Sequence, residues 1–293
     1  MKEARFGVTL PQFTTDPEVV LEGARRAEAA GLDSIWLFDH LWPLGNKKYR
    51  PIFESWTTLA YIAARTERVL VGTLVTRSSL RHPAVLARMA ATASLVADGR
   101  LIVAIGSGDA KSRSENLGFG MPYFEPDERA EQLSGVVEIV RRTLNGQEVA
   151  YRDRFNSVDF LPNAPGMSCP VWVGGKSDET LEVAGRLGDG WNAWGSTPAE
   201  FARDAGIVVE AAAGRPIELS WGGVLVMDRS DEEAVAKAGG TKPRWVVGSP
   251  DTVRTHFEAL IDAGARHLIA TFPGAGAPGT YELFGDAVAP IRS

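Results

Sequence analysis

The chain has 293 residues, 44% of them hydrophobic and 23% charged, which suits one large α/β barrel or two ordinary domains with a sizeable core. Its 31 basic and 37 acidic residues leave a net charge of -6, which argues against a nucleic-acid partner, because binding a phosphate backbone rewards basic stripes. The single cysteine, Cys169, excludes an intrachain disulfide and fits a reducing cytoplasm. No stretch approaches the roughly 20 apolar residues of a membrane span, and the N-terminal "MKEARFGVTL" has no long apolar segment. A cytoplasmic protein without signal peptide, membrane or nucleic-acid partner is therefore expected.

In chain order, short apolar runs predict strands at Phe6–Leu10, Ser34–Phe38, Val69–Thr73, Leu101–Ile105, Val171–Val173, Gly190–Ala193, Glu218–Met227 and His267–Phe272. Helical patterns separate most of them. Asp16-Pro17, Thr197-Pro198 and Ser249-Pro250 each put a capping side chain before a proline at the first helical position, where the missing N–H costs nothing. Thr197 and Glu200 have capping-box spacing, and Gly31 and Gly264 are expected to end helices. Strand and helix repeated about eight times predict a parallel sheet closed into a (β/α)8 barrel, with a doubly wound open sheet as the competing topology. "GQEVAYRDRFNSVDFLPNAPGMSCP", residues 146–170, breaks the rhythm and is read as an insertion after the fourth helix, in hairpin form.

In parallel barrels the chemistry gathers where strands give way to the following loops. "SIWLFDHLWP" places Asp39, His40 and Trp42 there, after the second strand. A histidine can exchange a proton near neutral pH, whereas capping the strand is the plainer use of the same residues. Neighbours on an extended chain point to opposite sides, so Asp39 and His40 are expected to do different jobs. "AIGSGDAKS" fails the dinucleotide fingerprint, since its third glycine position is Lys111; what remains is a turn, Gly106, Ser107 and Gly108, bringing backbone close to a ligand, with Asp109 at the mouth. In "VWVGGKSDETL" a strand meets Gly174, Gly175 and Lys176 before a helix start, a combination that suits an anion such as phosphate. His40, His82, His256 and His267 are scattered without metal-ligand spacing, so no metal site is expected. His82 is read as ending a loop and His256 as lying on a helix surface.

Taken together these stretches resemble the bacterial luciferase-like flavin and deazaflavin oxidoreductases. The resemblance runs through Asp39-His40, "VGTLVT", "HPAVLARMAATASLVADGRLIVAIGSGD", "PVWVGGKSDETLEVAGRLGDGW", "VGSPDTV" and "DAGARHLI", and covers nearly the whole chain. It implies a single barrel domain over residues 1–293, with additional loops around strand seven, a cofactor in the barrel mouth and a homodimer. The strand-end Asp-His and nearby Trp resemble the deazaflavin branch, which uses coenzyme F420. Carried over, Asp39 would contact the cofactor, His40 would stabilise or protonate the reacting intermediate, and Trp42 would pack at the reacting centre. Gly174 and Gly175 would hold the cofactor phosphate. Members often carry a non-prolyl cis peptide after the third strand, which maps to Thr73-Leu74 and makes both residues cofactor contacts. Asp109, counted with His40 and Trp42 as catalytic, stands where sugar-phosphate dehydrogenase relatives often carry Glu, and glucose 6-phosphate is not expected as substrate.

The resulting expectation is an F420-dependent oxidoreductase passing hydride between the cofactor and a small organic substrate. Three alternatives stay open. One is an FMN-dependent monooxygenase of the same fold, using dioxygen. Another is a cofactor-free barrel hydrolase using two of Asp39, Asp109 and Glu54, which would need carboxylates about 5–9.5 Å apart. The third is a ligand-binding barrel without turnover.

Overall fold

A computed structural model describes residues 3–43, 50–161, 169–274 and 277–292. The chain opens with β1 (Arg5–Thr9), α1 (Pro17–Ala29), β2 (Ser34–Leu37), α2 (Ser55–Ala63), β3 (Leu70–Thr73) and the two-residue β4 (Thr76–Arg77). It continues with α3 (Pro83–Val96), β5 (Leu101–Gly106), the short α4 (Arg113–Gly118), α5 (Arg129–Leu144), and an antiparallel hairpin, β6 (Val149–Arg152) and β7 (Ser157–Phe160). Then come β8 (Val171–Gly174), α6 (Asp178–Leu187), β9 (Gly190–Trp194), α7 (Pro198–Ala211) and β10 (Glu218–Met227). After them stand α8 (Asp231–Ala238), β11 (Val246–Gly248), α9 (Pro250–Asp262), β12 (His267–Thr271) and α10 (Thr280–Val288).

Eight of these strands pair in the parallel order β1-β2-β3-β5-β8-β9-β10-β12, and β12 pairs back to β1, so the sheet is a closed barrel. The open-sheet alternative is thereby excluded. These are the eight runs expected from sequence, each within a residue or so of its expected ends. Being covered on both faces, they carry near-continuous apolar residues: all six positions of β5 are buried. The hairpin lies between α5 and β8; residues 162–168 of the expected insertion lie outside the described residues. The long β10 runs past the barrel to pair Leu225–Met227 with β11, and α8 connects the two.

The capping devices work as their spacing indicates. The Asp16 carboxylate accepts from the Glu18 N–H, Thr197 and Glu200 form a reciprocal capping box, and Ser249 accepts from the Thr252 N–H. His82 is the N-cap of α3, next to Pro83. His256 differs from expectation. It is half-buried on the inner face of α9, its ring 5.8 Å from that of Trp221, and burial lowers its pKa.

Two tryptophans fill the barrel interior. Trp36 of β2 and Trp172 of β8 stack with ring centroids 5.4 Å apart. Neighbouring strands make room by offering no side chain: a Cβ on Gly72 would lie 2.5 Å from the Trp36 ring. At the N-terminal end of the barrel the Trp36 indole donates to Ser34 Oγ (2.8 Å), which lies 2.6 Å from His267 Nε2, while His267 Nδ1 is 3.2 Å from Glu218. This buried chain satisfies the polar groups left inside an apolar barrel. It accounts for His267 structurally.

Candidate active site

Strand β2 hands the chain to the mouth through a backbone clamp. The buried Gln12 side chain donates to the Phe38 carbonyl (2.7 Å) and accepts from the Phe38 N–H (2.6 Å), fixing where the strand ends. Phe38 has the inward parity of Trp36 and meets Trp194, the last residue of β9, edge to face at 5.7 Å. In the closed strand order three strands separate β2 from β9 in either direction, so this contact spans the mouth.

The next two residues diverge, as their alternation requires. Asp39 is buried, and its oxygens are taken by Arg81 (2.5 and 3.0 Å) and by the Ser55 hydroxyl (2.7 Å). Arg81 also bonds Glu54, the N-cap of α2. Asp39 thus ties α2 and the β4–α3 loop to the strand end. His40 turns the other way, where its Nδ1 lies 2.9 Å from Oε2 of Glu115.

Glu115, on α4, is the site residue that sequence reasoning missed. Its side chain is fully buried and gathers donors from three places. The Arg77 guanidinium of β4 donates to Oε2 at 2.6 Å, and the Leu41 and Trp42 N–H groups donate to Oε1. Burial alone would raise this carboxyl. The hydrogen bond and charge of His40, the Leu41 N–H and Arg77 outweigh it and hold the pKa down to about 2. An ionised carboxylate at Nδ1 keeps the imidazole proton on that nitrogen and turns Nε2 to other partners.

The remaining expected residues sit as follows. Trp42 lies against α4, edge to face with Phe119 (5.7 Å). Asp109 is exposed and caps a short turn, accepting from the Ser112 N–H at 3.1 Å, so the carboxylate beside His40 is Glu115. The non-prolyl cis bond is Leu74-Val75, one residue beyond the expected Thr73-Leu74. Thr73 turns outward to Thr76 (2.8 Å), while Leu74 packs inside with Trp36 and Trp172.

Gly106 and Gly174 are register partners at the ends of β5 and β8, and Val75 lies over both. A Cβ on Gly106 would come within 2.6 Å of Val75, and one on Gly174 within 2.8 Å. The two glycines therefore leave the room that the Val75 side chain fills between these strand ends. Beyond them Ser107 is half-buried and Gly108 exposed, and Gly175 has φ 155°, which sets up the start of α6. Ser177 caps α6 through the Thr180 N–H, and the exposed Lys176 reaches the Trp194 carbonyl at 3.3 Å. A ten-residue helix start and an exposed lysine make this side of the mouth suited to an anionic group.

A family model for luciferase-like monooxygenases matches residues 4–245. The chain belongs to the luciferase-like monooxygenase family. It is 28% identical to the F420-dependent glucose-6-phosphate dehydrogenase of Amycolatopsis mediterranei (strain U-32), over 94% of this chain and 93% of the relative. It is 29% identical to the F420-dependent hydroxymycolic acid dehydrogenase of Mycobacterium tuberculosis, over 82% and 66% of the two chains. Solved structures share the fold: an F420-dependent secondary alcohol dehydrogenase in complex with an F420-acetone adduct superposes with a TM-score of 0.85 at 20% identity over the whole of both chains. The F420-dependent tetrahydromethanopterin reductase of Methanopyrus kandleri gives 0.81 at 19%, again over both whole chains.

Proposed function

We propose that this chain is a coenzyme F420-dependent oxidoreductase, passing a hydride between the cofactor and a small organic substrate. The observation that carries the proposal is His40 at the end of β2, held by a buried, ionised Glu115 so that Nε2 is the nitrogen available for proton exchange. The likeness to F420-dependent dehydrogenases, one of them matched over 93% of its length, supports F420 as the cofactor.

The residues present fit such a cofactor. Gly106, Ser107, Gly108, Gly174 and Gly175 would form the strand ends that line its site, with Lys176 and the α6 N-terminus toward its phosphate. Leu74 and the Phe38–Trp194 pair would supply the apolar surface beneath a flat ring. Bound F420 supplies the carbon that accepts or releases hydride; the protein supplies orientation and proton handling. His40 would give or take the substrate proton at Nε2, and Trp42 and Phe119 would shield that side from water. We assign Asp39, with its oxygens bound to Arg81 and Ser55, to holding the strand end that carries His40. Asp109, exposed above the turn, is kept as a substrate-facing residue.

Two broader features accompany the reading. A cytoplasmic location is part of this proposal; no helix among the described residues is long and apolar enough to cross a membrane. Val85, Leu95 and Val96 are exposed on α3, and such an apolar helix face supports the homodimer that the resemblance implies.

The test is a fluorescence titration of the purified protein with F420 and, separately, with FMN. Tight F420 binding and weak FMN binding are expected. The reverse preference would move the chain to the flavin monooxygenases, and binding of neither would overturn the reading.

A further inference from the structure

Arg77 stands where a simple histidine–carboxylate pair would have no use for it. Its Nη2 lies 2.6 Å from Glu115 Oε2 and 3.2 Å from His40 Nδ1, and its side chain is 5% exposed. The guanidinium is fixed in place: Nη1 bonds Asn116 Oδ1, and Asn116 in turn donates to Ser79 Oγ (2.8 Å) and to the Pro122 carbonyl (2.5 Å). Two opposite charges, one from β4 and one from α4, therefore face the same imidazole from fixed positions. Beside His40 on its own segment, the Asp39 charge is met by Arg81, which also meets Glu54.

Each charge alone would disable a residue that must both give and take a proton. A buried carboxylate at 2.9 Å favours the imidazolium and would tend to hold it charged. A buried guanidinium at 3.2 Å disfavours it and would tend to hold it neutral. Together they sum to zero charge while keeping the hydrogen bond that fixes the ring.

We propose that Arg77 and Glu115 are opposed positioning residues for His40: Glu115 holds the proton on Nδ1, and Arg77 offsets its charge so that Nε2 can exchange a proton in either reaction direction. The inference rests on the reading of His40 as the proton-exchanging group. It adds two residues that act through His40 without touching the substrate.

The experiment is an NMR titration of the imidazole signals of the protein without cofactor. The chain has four histidines, so the His40 signals are identified by their loss in His40→Asn. In Glu115→Gln, which keeps the shape and removes the charge, the His40 midpoint should fall by about one pH unit or more. In Arg77→Met it should rise by a similar amount. Arg77→Lys, which restores the charge, should return it toward the parent value. Midpoints that stay put, or that move in the same direction in the first two variants, overturn the proposal. Near-UV circular dichroism checks folding. If Arg77→Met does not fold, Glu115→Gln decides: an unmoved or raised midpoint there is sufficient to overturn the proposal. The titration needs no cofactor, so its failure is distinct from a failure to bind or turn over F420.

Discussion

The Glu115 carboxylate lies 2.9 Å from Nδ1 of His40, although 75 positions separate them in the chain. The pair joins the end of β2 to a six-residue helix in the β5–α5 connection. It is the contact on which the proposed proton chemistry depends.

Replacing His40 by alanine should therefore lower turnover with F420 by about a hundred- to ten-thousand-fold, the span that losing a positioned acid–base group produces. Cofactor affinity should stay within a few-fold, because the expected cofactor contacts are strand-end backbone from β5 and β8. Steady-state kinetics and a binding titration separate the two effects. Turnover equal to the parent would remove His40 from the mechanism.

The depressed Glu115 carboxyl also links stability to pH. Its folded pKa, about 2, lies below the ordinary value of 4.5, so its contribution is full above pH 4.5 and fades as pH falls toward 2. A shift of that size corresponds to roughly 3 kcal/mol. Urea unfolding of the parent at several pH values between 6 and 3 should show this fall, and Glu115→Gln should flatten it. Equal slopes in both proteins would mean that Glu115 is not the group responsible.

Much of this molecule could be read before it was seen, and the reason differs by part. The eight barrel strands are buried on both faces, so their apolar runs stand out against amphipathic helices. The stops after Phe38, Gly106 and Gly174 are local turn chemistry and were equally readable. Glu115 was not, because a carboxylate in a short helix looks like solvated charge until the fold brings it under His40. Asp109 is legible because it directly follows the strand, and that place is the exposed rim. His256 sits on a helix whose inward face is completed by Trp221, a residue of β10 that periodicity in α9 alone does not reveal.

Arg81→Ala should be among the most damaging substitutions outside the His40 cluster. It leaves Asp39 buried without its guanidinium, a situation that typically costs about 3–5 kcal/mol. Glu54→Gln should cost less, since Glu54 is part-exposed and Arg81 retains Asp39. Denaturant midpoints for the two variants give the ranking, and a milder effect from Arg81→Ala would contradict it.

Gly106→Ala tests the packing of Val75 on the strand ends. The new Cβ would come 2.6 Å from Val75 and 3.0 Å from the Gly174 carbonyl, so the Leu74-Val75 segment must shift. A loss of about 1–3 kcal/mol in stability is expected, with F420 affinity lowered tenfold or more. Parent-like binding would mean that the cofactor lies elsewhere in the mouth.

Ser177→Ala removes the α6 cap and should cost about 1 kcal/mol. F420 should bind more weakly, while the isolated deazaflavin ring lacking its phosphate should bind as before. Isothermal titration with both ligands checks this, and equal losses for both would argue against a phosphate at α6.

The Phe38–Trp194 contact constrains how this barrel can diversify. The two rings come from opposite strands and rest on one another, so neither can shrink without leaving its partner less supported. A lineage acquiring a bulkier substrate would have to change both walls, and the first step alone would leave a void. Rim loops, by contrast, can vary one residue at a time. New specificities on this scaffold should accordingly arise at the rim first, with the paired rings kept as inherited architecture.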